Sequence, residues 1–144
     1  VILDEGPRLS PSFLRRFQAD KTSQISTFIS EVQVSVDIVA LNLIRLRELK
    51  SHLGSYEDDV KAQLDKVASG LINLQKLLDK REFTTENLGE DAYNALKLIE
   101  AYAIVSESEG VGFVEDNADR ILRTARWCVG SLGQALRNIR KARE

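Results

Sequence analysis

The segment ISTFISEVQVSVDIVALNLIRLRELKSHL, residues 25–53, is apolar on two sides when wound as a helix. Ile25, Val32, Val39, Leu46 and Leu53 recur every seven residues, and Phe28, Ile29, Val36, Leu43 and Leu49 widen that line into a broad face. Val34, Ile38 and Leu41 make a second stripe on the opposite side at the same three-or-four spacing. A helix of this kind is either central in its domain or has a second partner. Within it, VQVSVDI (residues 32–38) also alternates apolar and polar with β-branched residues, as a half-buried strand does. Helix is nevertheless expected, because no other segment supplies a strand to pair with. A lone strand would leave its backbone donors and acceptors unsatisfied.

Working outward, residues 1–10 (VILDEGPRLS) read as an irregular arm ending in a Ser10 cap, with Pro11 at the first helical position. A short N-terminal helix over residues 11–19 would present Phe13, Leu14 and Phe17. It either runs into the long helix or breaks at residues 20–23, where Asp, Thr and Ser could cap anew. Unbroken from 11 to 53 it would be about 64 Å long, against about 30 to 40 Å for each later helix. A break or an overhang is therefore expected.

Gly54 suits a left-handed helix end, and Ser55 with Asp58 three residues on suits a new start. The second helix carries one seam (Val60, Leu64, Val67, Leu71, Leu74, Leu78) and a solvated face (Asp58, Lys61, Asp65, Asn73, Lys76). Thr84 caps a third helix, with Phe83 and Leu88 as a hydrophobic staple and Ala92, Ala95, Leu96, Ile99, Tyr102 and Ala103 along its seam. That helix is expected to fade into a loop at residues 106–113. A fourth, starting near Asp116, buries Ala118, Ile121, Leu122, Ala125, Val129, Leu132, Leu136 and Ile139. Short connections make sequential helices antiparallel neighbours. The expected fold is all-α: an antiparallel up-down-up-down four-helix bundle with a long first helix and a short N-terminal helical extension, forming a single domain over 1–144.

With 144 residues, 43% hydrophobic and 29% charged, the chain can bury a core without disulfides and is not of disordered composition. Both prolines precede residue 12. No uninterrupted apolar run approaches the roughly 20 residues that span a bilayer, and no signal-peptide pattern is present. A chain that begins with Val and contains no Met is expected to be a processed or excised part of a longer protein. One Cys excludes an internal disulfide framework and leaves the compartment open. The net charge of −2 is uneven: residues 55–110 hold 12 acidic and 6 basic residues, residues 111–144 hold 4 and 7. That opposition suits packing between helices and is a weak argument for nucleic acid, which is not expected as a partner.

Candidate sites each carry a plain alternative. The stripe Val34, Ile38, Leu41 is a dimer seam or docking face, unless another helix of the chain folds over it. Asn42, between the two apolar sets, could fix register or simply be hydrogen-bonded at the surface. Trp127 lies off the fourth helix's seam near Arg120 and Arg123 and could meet a partner, an anionic lipid surface or stacked bases. Alternatively the arm Val1-Ile2-Leu3 or Phe13 covers its indole. Arg137, Arg140, Lys141 and Arg143 suit a helix C-terminus. Gly130 and Gly133 either permit close approach or are tolerated. Ser106 and Ser108, flanked by Glu107 and Glu109, are candidate phosphorylation sites if exposed.

Several chemistries are disfavoured. There is no Glu-x-x-His pair for di-iron, no haem attachment motif and no zinc-ligand cluster. Asp116, Asn117 and Asp119 lack the Gly and closing Glu of a calcium loop, and Gly110 and Gly112 are followed by no phosphate-binding Lys-Ser or Lys-Thr. His52 is the only imidazole that could serve as base, and Cys128 reads as an inert buried thiol. No cofactor or metal is expected. The leading expectation is a noncatalytic protein-interaction or oligomerisation module of a larger signalling or scaffolding protein, using Val34, Ile38 and Leu41, then Trp127 with Arg123. A homodimer is one form this could take. The alternatives are a bundle binding a small molecule where Ala92, Ala95, Ala125 and Ala135 face the interior, and attachment to a membrane surface through the basic fourth helix.

Overall fold

The computed structural model describes residues 11–52, 54, 56–80 and 83–143, with side chains from Thr22 in the first helix to Ala142 in the last. The arm, Leu53, Ser55, and the side chains of Phe13, Leu14, Phe17 and Arg143 lie outside the described residues. The protein is all-helical there, with six helices and no strand. They are α1 (Pro11–Ser51), α2 (Glu57–Asp79), α3 (Thr85–Leu88), α4 (Glu90–Glu109), α5 (Val111–Asp116) and α6 (Ala118–Arg143).

Residues 32–38 are helical, so packing overrides their β-propensity. The short first helix and the long one are a single element of 41 residues, about 62 Å long. Residues 20–23 offer caps but neither Gly nor Pro, so nothing forces the backbone out of the helix. Within the 30-residue stretch Thr22–Ser51, a window of 18 residues reaches a mean hydropathy of 1.5, long and apolar enough to cross a membrane by length and composition. The expectation from uninterrupted runs missed this, because Ser, Gln and Asp break the runs without lowering the average far. In this fold the same stretch supplies the core, burying Ile29, Val32, Val36, Val39, Leu43 and Leu46 against α2 and α6.

Gly54 has φ +90, as its place after α1 requires. The next helix starts from an extended Tyr56, which makes no side-chain cap hydrogen bond. All six seam residues of α2 are buried or half-buried, and its charged face is exposed. Gly70 lets α1 approach closely: a Cβ there would lie 3.1 Å from Val39 Cγ2. The Thr84 hydroxyl accepts from the Asn87 amide at 3.2 Å, and Phe83 packs on the core, its ring 6.4 Å from that of Phe28.

The expected third helix is divided at Gly89 (φ +82), which ends α3 and opens α4. The loop expected at residues 106–113 is mostly helix. α4 continues through Glu109, Gly110 (φ +81) makes the corner, and α5 follows at once. The Gly110 amide still bonds to the Ser106 carbonyl at 2.8 Å, so a single left-handed glycine redirects the chain without unwinding it. Asn117 then separates α5 from α6, donating from its side chain to the Phe113 carbonyl at 3.0 Å. Helix α1 packs on α2 and α6, and α4 packs on the same two.

Candidate interaction surface

What aims the outer face of α1 is a pair of side-chain hydrogen bonds, one to each flanking helix. Gln33 donates from Nε2 to the Val129 carbonyl of α6 at 3.1 Å. On the other side, Gln63 of α2 is 6% exposed and donates from Nε2 to Asn42, reaching the backbone carbonyl at 2.9 Å and Oδ1 at 3.1 Å. Asn42 therefore fixes the seating of α1 on α2 within one chain. A buried donor left unsatisfied is costly, so both contacts resist rotation of α1 about its axis.

With α1 held in that way, its second apolar stripe points away from the core. Val34 is 60% exposed, Ile38 49% and Leu41 50%, and no described helix folds over them. Thr27, Glu31, Asp37, Arg45 and Glu48 are exposed along the same helix and frame the stripe with both signs of charge.

Trp127 is 41% exposed at the border of α4 and α6. With Tyr102, Arg120, Arg123 and Thr124 it lines an open groove of about 460 Å³. The Thr124 hydroxyl donates back to the Arg120 carbonyl at 2.9 Å, and the Tyr102 ring lies 6.3 Å from that of Phe113. The proposed covering of Trp127 by the arm or by Phe13 falls outside the described residues. Trp127 and Arg123 are thus brought together with each other, but on a different element and a different groove from Val34, Ile38 and Leu41. Tyr102 is half-buried and packs against the core from the edge of the α4 seam, so it serves the seam and this groove together.

Near the junction of α1 with α5 and α6, Arg47 pairs with Asp119 at 2.7 Å and Lys50 with Glu115 at 3.4 Å. The Arg47 hydrogen bond and charge hold the Asp119 carboxyl below its usual range, with smaller help from Arg123 and Lys50. Asp119 thus ties α6 to α1. Among the described residues, no group of three His, Cys, Asp or Glu side chains is placed to hold a metal ion.

The remaining candidates change character. Ser106 is 2% exposed inside α4, and its hydroxyl has no hydrogen-bond partner among the described residues, so it is not the exposed loop serine expected. Ser108 is exposed and donates to the Val105 carbonyl at 3.1 Å. Cys128 is fully buried, and burial pushes its thiol up to about 12. Gly133 has a packing role: a Cβ there would lie 3.3 Å from Gln33 Nε2, whereas at Gly130 it would meet nothing within 4 Å. Ala95 and Ala125 are fully buried in the core, while Ala92 and Ala135 border an outer groove of about 320 Å³ that also takes in Gly130 and Gln134. Compared with known protein families, curated proteins and solved structures, the chain matches none.

Proposed function

We propose that this chain is a noncatalytic helical module that associates with protein through the outer face of α1. The arrangement we infer beneath it is an antiparallel up-down-up-down four-helix bundle of α1, α2, α4 and α6. In its support, the contacts of α1 and α4 with both α2 and α6 close a ring, and the connections between successive helices are short.

The observation that carries the reading is the exposure of Val34, Ile38 and Leu41 together, on a helix whose opposite face already fills the core. Scattered surface apolar residues need no explanation, but three at helical spacing within about two turns form a patch. Fully burying a Val, Leu or Ile side chain stabilises by about 1.5–3 kcal/mol, so covering three that are half exposed contributes about 3 kcal/mol per copy. Association costs at least about 4 kcal/mol in lost freedom. The stripe therefore suits a weak, reversible contact supplemented by the charges that frame it. Burial and the raised pKa of Cys128 make it a poor nucleophile, which supports the noncatalytic reading.

The test is the apparent size of the chain, nominally 16.1 kDa, in concentrated extract of the cells that make it. A Val34→Asp, Leu41→Asp variant should keep its helicity and migrate at monomer size while the parent chain migrates as a larger species. Identical migration of the two overturns the proposal.

A second reading has its own observation. Trp127 beside Arg120 and Arg123, with exposed Leu98 one turn before Tyr102, combines rings and cations as lipid-surface sites do. Trp127 is the only tryptophan, so its emission reports directly. A blue shift with anionic but not neutral vesicles supports this reading, and no shift with either removes it.

A further inference from the structure

The exposed charges of α1 are distributed so that the helix complements its own reverse. In order along the outer face stand Glu31, Val34, Asp37, Ile38, Leu41 and Arg45, all exposed. Glu31 and Arg45 lie seven residues to either side of Ile38 and differ by 14, nearly four helical turns, so both fall on one flank of the stripe. Neither makes an ion pair or hydrogen bond with any described residue.

Resting on the association reading above, we propose that the partner is a second copy of this chain, its α1 packed antiparallel on the first about a two-fold axis through Ile38. That axis is perpendicular to both helices and to the plane containing them. Val34 of each copy then lies over Leu41 of the other, and the two Ile38 side chains meet at the centre. A two-fold axis in this direction keeps each flank with the same flank of the partner copy. Glu31 of each copy consequently faces Arg45 of the other, giving two equivalent ion pairs about 21 Å apart along the helix. Parallel pairing in register instead leaves Glu31 of one copy and Arg45 of the other about 21 Å apart along the helices, so neither ion pair forms. The antiparallel arrangement has one unfavourable feature. Asp37 comes near its own copy beside the axis.

Charge reversal tests both the partner and the direction. Glu31→Arg places two arginines at each end of the pairing, and Arg45→Glu places two carboxylates there. Each variant alone should self-associate about tenfold more weakly than the parent chain in sedimentation at low salt. Mixed in equal amounts, the two form heterodimers in which every end pair is again opposite in sign, so association returns to the parent level. The Glu31→Arg, Arg45→Glu double variant should likewise self-associate as the parent does. Both positions are exposed, and unchanged helicity by circular dichroism confirms that each variant folds. Single variants that associate like the parent, or a mixture no tighter than its components, overturn the antiparallel pairing. A purified parent chain that stays monomeric at near-millimolar concentration overturns self-pairing altogether. The association reading is judged separately, by whether the chain in extract migrates as a larger species that depends on Val34 and Leu41.

Discussion

Two glycines one turn apart on α6 offer a controlled measurement of how α1 is seated, and hence of where its outer face points. At Gly130 an added Cβ meets open space; at Gly133 it lies 3.3 Å from Gln33 Nε2, the donor to Val129. Replacing a mid-helix Gly by Ala stabilises by about 0.5–1 kcal/mol where nothing obstructs it. Gly130→Ala should show that gain in full. Gly133→Ala carries the same intrinsic gain but displaces the Gln33 amide, and losing such a hydrogen bond costs about 0.5–1.5 kcal/mol. The two effects nearly cancel, so the variants should differ by about 1 kcal/mol, or about 3 °C in melting temperature for a chain of this size. Urea and thermal unfolding at one fixed protein concentration measure it. In a Gln33→Ala background the difference should shrink towards zero, because the displaced group is gone. Equal stabilisation by both alanines in the parent background would refute the contact between Gln33 and Val129, and with it the stated orientation of Val34.

Three further outcomes follow from single residues. Ser106→Ala should stabilise the protein by about 1 kcal/mol in urea melts, since it removes a buried hydroxyl that has no partner among the described residues; destabilisation would mean that the hydroxyl is satisfied. Cys128 should resist thiol reagents in the native protein and react on unfolding. Because its folded pKa is raised, the stability it contributes is present below the ordinary thiol value of 9.0 and is lost as pH rises towards about 12. Cys128→Ala should therefore flatten the alkaline limb of stability against pH, and an unchanged limb would contradict the burial argument. Asp37→Asn should tighten self-association by removing the like charge beside the two-fold axis, and weaker association in sedimentation would place Asp37 elsewhere.

Much of the core was readable from spacing alone. The seams of α2 and α6 and the inner face of α1 are buried largely as the three-or-four pattern implies, because hydrophobic periodicity reports which side of a helix meets its neighbours. The outward direction of Val34, Ile38 and Leu41 was legible for the same reason. Where helices end was not. Gly89 and Gly110 adopt positive φ within what composition presents as one helix and one loop, and the Gly110 amide bonds backwards as a helical residue would. The roles of Asn42 and Gln33 were hidden too, since each depends on a partner far along the chain, Gln63 in one case and the Val129 carbonyl in the other. Tyr102 does pack on the core, as its spacing implies, but spacing alone did not reveal that its ring also lines the groove beside Trp127.

The claim that the outer face of α1 is a protein contact is tested most directly by chemical access to it. A cysteine at Val34 can be compared with one at Asp65, on the solvated face of α2, while buried Cys128 stays silent. Maleimide labelling of both variants is followed in dilute purified protein and in concentrated extract of the producing cells. The account predicts similar rates for the two sites when dilute and selective protection of Val34→Cys when concentrated. Equal labelling of both sites under both conditions would contradict it.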